Sequence, residues 1–198
     1  MLRVPNLKMN RFRAVGLVAL VAGLALVGGA QNRPAPAAPA WERMFVGETK
    51  LSLTSPTKLS AGEREVPEDN EDWVAATTDY SAETDDYYLQ ITHFEAKAGI
   101  TVDAARLVTA QAELVKGLTE GEEGSKVTEE RAFTLDGVPA RYLRVRAGKE
   151  PGTFIAFAMM VGEGSNMFLV QCVGFPDSAK SLAESERIVR SVRYKKPL

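Results

Sequence analysis

The sequence predicts an α+β fold: a mostly antiparallel β-sheet covered by two amphipathic helices. Three observations lead there. Residues 101–118 place Ala104, Leu107, Val108, Gln111, Leu114, Val115 and Leu118 at spacings of three and four, the repeat of one helical face. Between 126 and 175, four strand-like runs are separated by short turns. Such turns make consecutive strands antiparallel neighbours. After Pro176-Asp177-Ser178 a second helical pattern carries Leu182, Ile188 and Val189. A sheet of this kind needs its apolar surface covered, and the two helices supply the cover.

The N-terminus comes first in chain order. Lys8, Arg11 and Arg13 precede an uncharged apolar run from Ala14 to Val27, which ends in Gly28-Gly29-Ala30. Charge, a short apolar stretch and then small residues is the layout of a signal peptide over residues 1–30, with the cut before Gln31. Ala38-Pro39-Ala40 is a second, weaker cut site, and Met9 is an alternative start. The run is short for a full span, which takes about 20 apolar residues. The alternative is an uncleaved N-terminal membrane anchor. No cysteine stands near the cut, which argues against lipid attachment. Residues 31–43 are a Pro/Ala-rich linker, because closely spaced prolines favour extended, unpacked chain. A single α+β domain is expected over 44–198.

Within it, Lys50-Leu51-Ser52-Leu53 alternates as a half-buried strand does, and Pro56 ends it. Residues 60–72 are acidic and poor in apolar side chains, so a solvated loop is expected. Strands are expected over 73–80 and 87–97, joined by a loop at 81–86. In the second, Tyr87, Leu89, Ile91 and His93 share one face and Tyr88, Gln90, Thr92 and Phe94 the other. Thr101 is placed to cap the helix that follows, with Asp103 at the positive end of its dipole. Gly117 and Gly121-Glu122-Glu123-Gly124 end it.

The strand over 126–135 meets Asp136-Gly137, a hairpin signal because both residues tolerate positive φ. The chain returns over 138–146 and turns at 149–152. Residues 153–161 are nearly all apolar, as in a strand covered on both faces. Gly162-Glu163-Gly164-Ser165-Asn166 is the next turn and 167–175 the next strand. Residues 191–194 are a short closing strand.

Charge and cysteine content narrow the function classes. The chain has 24 basic and 26 acidic residues. Removal of the leader takes away Arg3, Lys8, Arg11 and Arg13, leaving a net charge of −6. An acidic chain is a poor ligand for nucleic acid, whose affinity comes largely from Lys and Arg on phosphates. It is equally poor for anionic lipid, and no membrane insertion is expected after leader cleavage. Cys172 is the single cysteine, so stability rests on the core rather than on a disulfide. About 150 residues suffice, since a domain of that size buries roughly 68–70% of its unfolded surface. Cys172 lies in the apolar run Met167-Phe168-Leu169-Val170-Gln171-Cys172-Val173 and reads as a small core residue rather than a reactive thiol.

Catalytic patterns are absent. His93 is the single histidine and no serine stands in a Gly-x-Ser-x-Gly elbow, so His93 is expected to be structural. One cysteine and one histidine are too few for a zinc site. Glu68, Asp69, Glu71 and Asp72, and again Asp79, Glu83, Asp85 and Asp86, are clustered but do not form the calcium-loop pattern. Gly162-Glu163-Gly164 lacks the third glycine of a phosphate loop, and its acid would repel phosphate. No cofactor and no metal are expected. Arg144 and Arg146 share a strand face with Tyr142, and Arg131 lies on the preceding strand. A Tyr/Arg surface is the composition enriched at protein interfaces. These four are the candidate interface residues. The alternative is a solvated face paired with Glu129 and Glu130.

The element order resembles the PsbP-like fold, shared with the DcrB-type envelope lipoproteins. The likeness is carried by Leu51-Ser52-Leu53-Thr54-Ser55-Pro56, by a helix after a long hairpin, by Gly137-Val138-Pro139-Ala140, and by Arg187-Ile188-Val189-Arg190-Ser191-Val192. It covers residues 44–195. This chain lacks a lipobox cysteine, and no metal-binding pair of the photosynthetic members can be placed on it, so no functional residue carries over. The resemblance implies a non-enzymatic accessory or assembly role. The expectation is a secreted or periplasmic interaction module whose partner is an envelope or secreted protein. Two alternatives stand beside it. One is a carrier of a small apolar ligand held by Phe154, Phe157, Met159, Met160, Met167 and Phe168. The other is a hydrolase with an unrecognised site.

Overall fold

A computed structural model describes residues 40–67, 70–120, 124–148 and 152–195. The leader and linker up to residue 39 lie outside the described residues, as do Glu68 and Asp69, residues 121–123 and residues 149–151.

Nine strands and two helices follow one another along the described chain. β1 (Glu42–Phe45) and β2 (Ser52–Ser55) form a small antiparallel pair. β3 (Ser60–Arg64), β4 (Val74–Glu83) and β5 (Tyr87–Ala96) precede helix α1 (Ala104–Thr119). Then follow β6 (Lys126–Leu135), β7 (Val138–Ala147), β8 (Phe154–Glu163) and β9 (Asn166–Gly174), and finally α2 (Ala179–Arg190). The seven later strands make one sheet in the order β3-β4-β5-β9-β8-β7-β6, with every pair antiparallel. The α+β class and the four-strand meander are as the sequence predicts.

The sheet separates two cores. On one face α2 and β2 cover Leu89, Ile91, Phe157, Phe168 and Val170, joined by Ile188 and Val189 of the helix. On the other α1 places Leu107, Ala110 and Leu114 against Leu143, Ala158 and Met160. Both faces are apolar because two helices cover them, so β8 is buried at eight of its ten positions. β5 divides as its alternation predicts: Tyr87, Leu89 and Ile91 face α2, and Phe94 faces α1.

Several local expectations are corrected. The stretch expected as a solvated loop contains strand β3. An edge strand exposed on both faces needs no apolar alternation; its backbone bonds to β4 hold it, and Arg64 Nη1 lies 3.1 Å from Asp79 Oδ2. β4 runs to Glu83, so the hairpin turn shrinks to Thr84–Asp86, where Thr84 Oγ1 accepts the amides of Asp86 and Tyr87. β1 starts at Glu42, two residues inside the expected linker, and its Arg43 donates to the Ser191 carbonyl. α1 is capped by Asp103, which accepts the Arg106 amide at 2.9 Å, and Thr101 is not the cap. Val102 instead makes an isolated bridge to Gly164 that brings the chain onto the sheet before the helix begins. Val108, assigned to the apolar stripe, is 49% exposed. The closing strand reduces to the bridge between Ser52 and Arg193.

Candidate functional site

The candidate interface residues lie where the β6–β7 hairpin meets α2. The β6–β7 register sets Glu129 opposite Arg144 and Arg131 opposite Tyr142, so all four share the α2 face. The Asp136-Gly137 turn, with φ of 52° and 89°, fixes that register. Glu129 accepts from Arg131 Nε at 2.7 Å and lies 3.4 Å from Arg190 Nη2 of α2. The Arg131 hydrogen bond holds this carboxyl below its usual range, with the charges of Arg131 and Arg190 adding to the effect.

Tyr142 is not part of an exposed surface. It is 3% exposed, because the Arg190 guanidinium covers its ring at 4.8 Å. Burial pushes its phenol up to about 12. Arg144 lies over Phe157 at 5.2 Å and is half-buried, whereas Arg131 and Arg146 are exposed. On the opposite face Glu130 pairs with Arg141 at 2.9 Å, and Arg141 also donates to Gln111 of α1. The alternation expected for β7 therefore holds, but covering by α2 removes the tyrosine from the surface.

A cleft of about 530 Å³ opens at the other end of the same face. Its outer wall is the β1–β2 turn with Glu48, Thr49 and Lys50, and its floor is the sheet. The register supplies two cross-strand rows of that floor. Asn166 pairs with Glu95 on one side and with Glu163 on the other. In the next row Phe168 pairs with His93, which pairs in turn with Thr78. Tyr80 and Tyr194 complete the lining. Tyr80 reaches under Gly47, whose φ of 58° and close approach leave no room for a Cβ.

His93 is buried at 5% exposure and stacks on Phe168, with ring centroids 4.3 Å apart. Its Nε2 lies 2.8 Å from Asn166 Oδ1. The imidazole is thus held between a ring and an amide. Its Nδ1 is 3.9 Å from Glu95 Oε1. Lys50 Nζ is 3.7 Å from Glu163. Tyr80 and Tyr194 have their phenols raised, first by burial and then by Glu95 and Glu163 respectively.

The six apolar residues proposed for a carrier pocket do not gather. Phe157, Met159 and Phe168 face α2, while Phe154, Met160 and Met167 face α1. The sheet stands between the two sets, and of the six only Phe168 reaches the cleft. In the second acidic cluster Asp79 accepts from Arg64 and Gln90, and Asp86 from Lys180, while Glu68 and Asp69 of the first lie outside the described residues. Among the described residues no three His, Cys, Asp or Glu side chains come together as metal ligands. Cys172 is buried, and desolvation pushes its thiol up to about 12. The cleft residues Tyr80, Glu95, Glu163 and Tyr194 had no sequence signal beyond Glu95 sharing a face with His93, because the register that joins them is long-range.

No family model and no curated protein matches the chain. Among solved structures, cyanobacterial PsbP (CyanoP) from Synechocystis sp. PCC 6803 superposes with a TM-score of 0.54 at 11% identity, over 85% of this chain and 98% of that one. LpqN, involved in cell envelope biogenesis of Mycobacterium tuberculosis, has a TM-score of 0.42 at 16% identity, over 72% and 87% of the two chains. A Pseudomonas aeruginosa protein of unknown function, PA94, has a TM-score of 0.37 at 12% identity, over 69% and 84%. The fold is PsbP-like, as the resemblance implied.

Proposed function

Starting from the PsbP-like fold, we propose that this chain acts outside the cytoplasm as a non-catalytic module that binds or helps assemble another envelope or secreted protein. The leader pattern supports the compartment. Among the described residues no helix is long and apolar enough to cross a membrane.

The observation that carries the reading is edge strand β6. It ends the seven-stranded sheet, so one row of its backbone donors and acceptors has no strand neighbour. It is exposed along most of its ten residues, with Phe133 at 38% and Val127 at 36%. Basic side chains on β6 and β7 outnumber acidic ones: Lys126, Arg131, Arg141, Arg144 and Arg146 against Glu129 and Glu130, with Arg131 paired to Glu129 and Arg141 to Glu130. Such an edge suits an extended acidic segment added as an eighth strand: the backbone supplies affinity and the local excess of positive charge favours an acidic partner.

The test is a photo-crosslinker placed at Phe133 in the native envelope, with Val108 on α1 as the control. A discrete partner captured from Phe133 alone, and lost in Arg131→Glu, is the expected result. Equal capture from both sites, or none from Phe133, would overturn the reading.

A further inference from the structure

The seven-stranded sheet has a second open edge, and its charge is opposite to that of the first. β3 ends the sheet on the side away from β6 and is exposed at every position but Arg64. A Cβ added at Gly62 would meet nothing within 4 Å, so nothing crowds the strand at its centre. Residues 60–72 carry six acids and one base, Arg64, which is paired with Asp79. β6 and β7 carry five bases and two acids. The register fixes which of these charges share a face. The pairing row that starts at Glu63 crosses the whole sheet and ends at Phe133, so Glu63 lies on the α2 face. Lys126, Arg131 and Arg144 lie on that same face at the far edge. Among the described residues neither Glu63 nor Lys126 is in an ion pair.

Every neighbouring pair in the sheet is antiparallel, so across seven strands β3 and β6 run in the same direction. A second copy displaced sideways, with α2 on the same side, sets its β3 parallel to β6 and its Glu63 beside Arg131. Symmetric contacts lack this match. β6 against β6 gathers the cations of two copies, and β3 against β3 gathers their carboxylates; like charges face each other in both. Resting on β6 as a docking edge, we propose that the strand it receives is β3 of another copy of this chain. The sheet then continues from chain to chain. A head-to-tail contact leaves one open edge at each end, so the assembly grows beyond a dimer.

The test is sedimentation velocity of the exported chain, with a photo-crosslinker at Phe133 as its second arm. At about 50 mM salt the average mass should rise with concentration past that of a dimer. At about 500 mM it should fall toward the monomer, because screening weakens attraction between exposed charges. Glu63→Lys and Arg131→Glu should each weaken association about ten-fold or more, and the double variant should recover it. Both side chains are exposed, so the variants retain the fold. In the second arm Phe133 should capture residues 60–66 of another copy. The proposal is overturned by a chain that stays monomeric at about 1 mM in low salt, by a mass that stops at the dimer, by a double variant no better than the singles, or by a Phe133 crosslink to β6 of another copy. Capture of a different polypeptide from Phe133, unchanged by Glu63→Lys, also overturns it and leaves β6 as a docking edge. No capture from Phe133 at all would remove both.

Discussion

At the scale of single residues, covering decides chemistry. Cys172 and Tyr142 are both reactive side chains in isolation, and burial on the α2 face silences each. For Cys172 the thiol rises from 9.0 to about 12 because the thiolate would lose its hydration. A raised acid favours the protonated form, so the folded state is stabilised below about pH 9 and loses that contribution as pH climbs toward 12. The stability gap between the natural chain and Cys172→Ala should therefore narrow between pH 8 and pH 10.5, read from urea midpoints. A gap that stays constant would contradict the burial argument. In the native protein at pH 8 a thiol reagent should leave Cys172 untouched. For His93 the sequence suggested a packed ring with a hydrogen-bonded nitrogen, and the structure has both. Its stacking on Phe168 was not legible, since 75 residues separate the two rings.

At the scale of elements, short-range chemistry set most boundaries. β6 and β7 meet at Asp136-Gly137 as expected, because positive φ at both residues is a local requirement. Asp136 has a second task that no local rule announces: its carboxylate accepts the Tyr194 amide at 3.0 Å and fastens the chain end to the turn. The start of α1 shows how two plausible caps are separated. Asp103 has extended backbone and accepts from Arg106, whereas Thr101 precedes the bridge at Val102. Asp103→Ala should cost about 1 kcal/mol in thermal or urea unfolding, and Thr101→Ala only a few tenths. Equal losses would mean that the cap is shared. β3 escaped the sequence reading because the usual strand signal is an apolar face, and this strand has none; its partner strand and the Arg64–Asp79 pair hold it instead.

At the scale of the whole molecule, one sheet serves two cores. Leu89 lies under α2 and Leu107 belongs to α1, each with no exposed surface. Each truncation to alanine should cost about 2–5 kcal/mol. The same strands line both cores, so unfolding should stay a single transition in either variant. Trp73 on the α1 side and Trp41 beside the α2 core report the faces separately when the other tryptophan is replaced by Phe. Leu107→Ala shifting only the Trp73 signal would show that the faces unfold independently. The sequence by itself determined the fold class, the meander, the two helices and the scarcity of catalytic groups, because periodicity, turn chemistry and capping act over a few residues. Only the tertiary structure decided that β9 returns to pair with β5, that α2 buries Tyr142, and that Glu95, His93 and Tyr194 meet beside the β1–β2 turn. Those contacts join positions tens of residues apart, and no local preference records which distant strand will lie alongside.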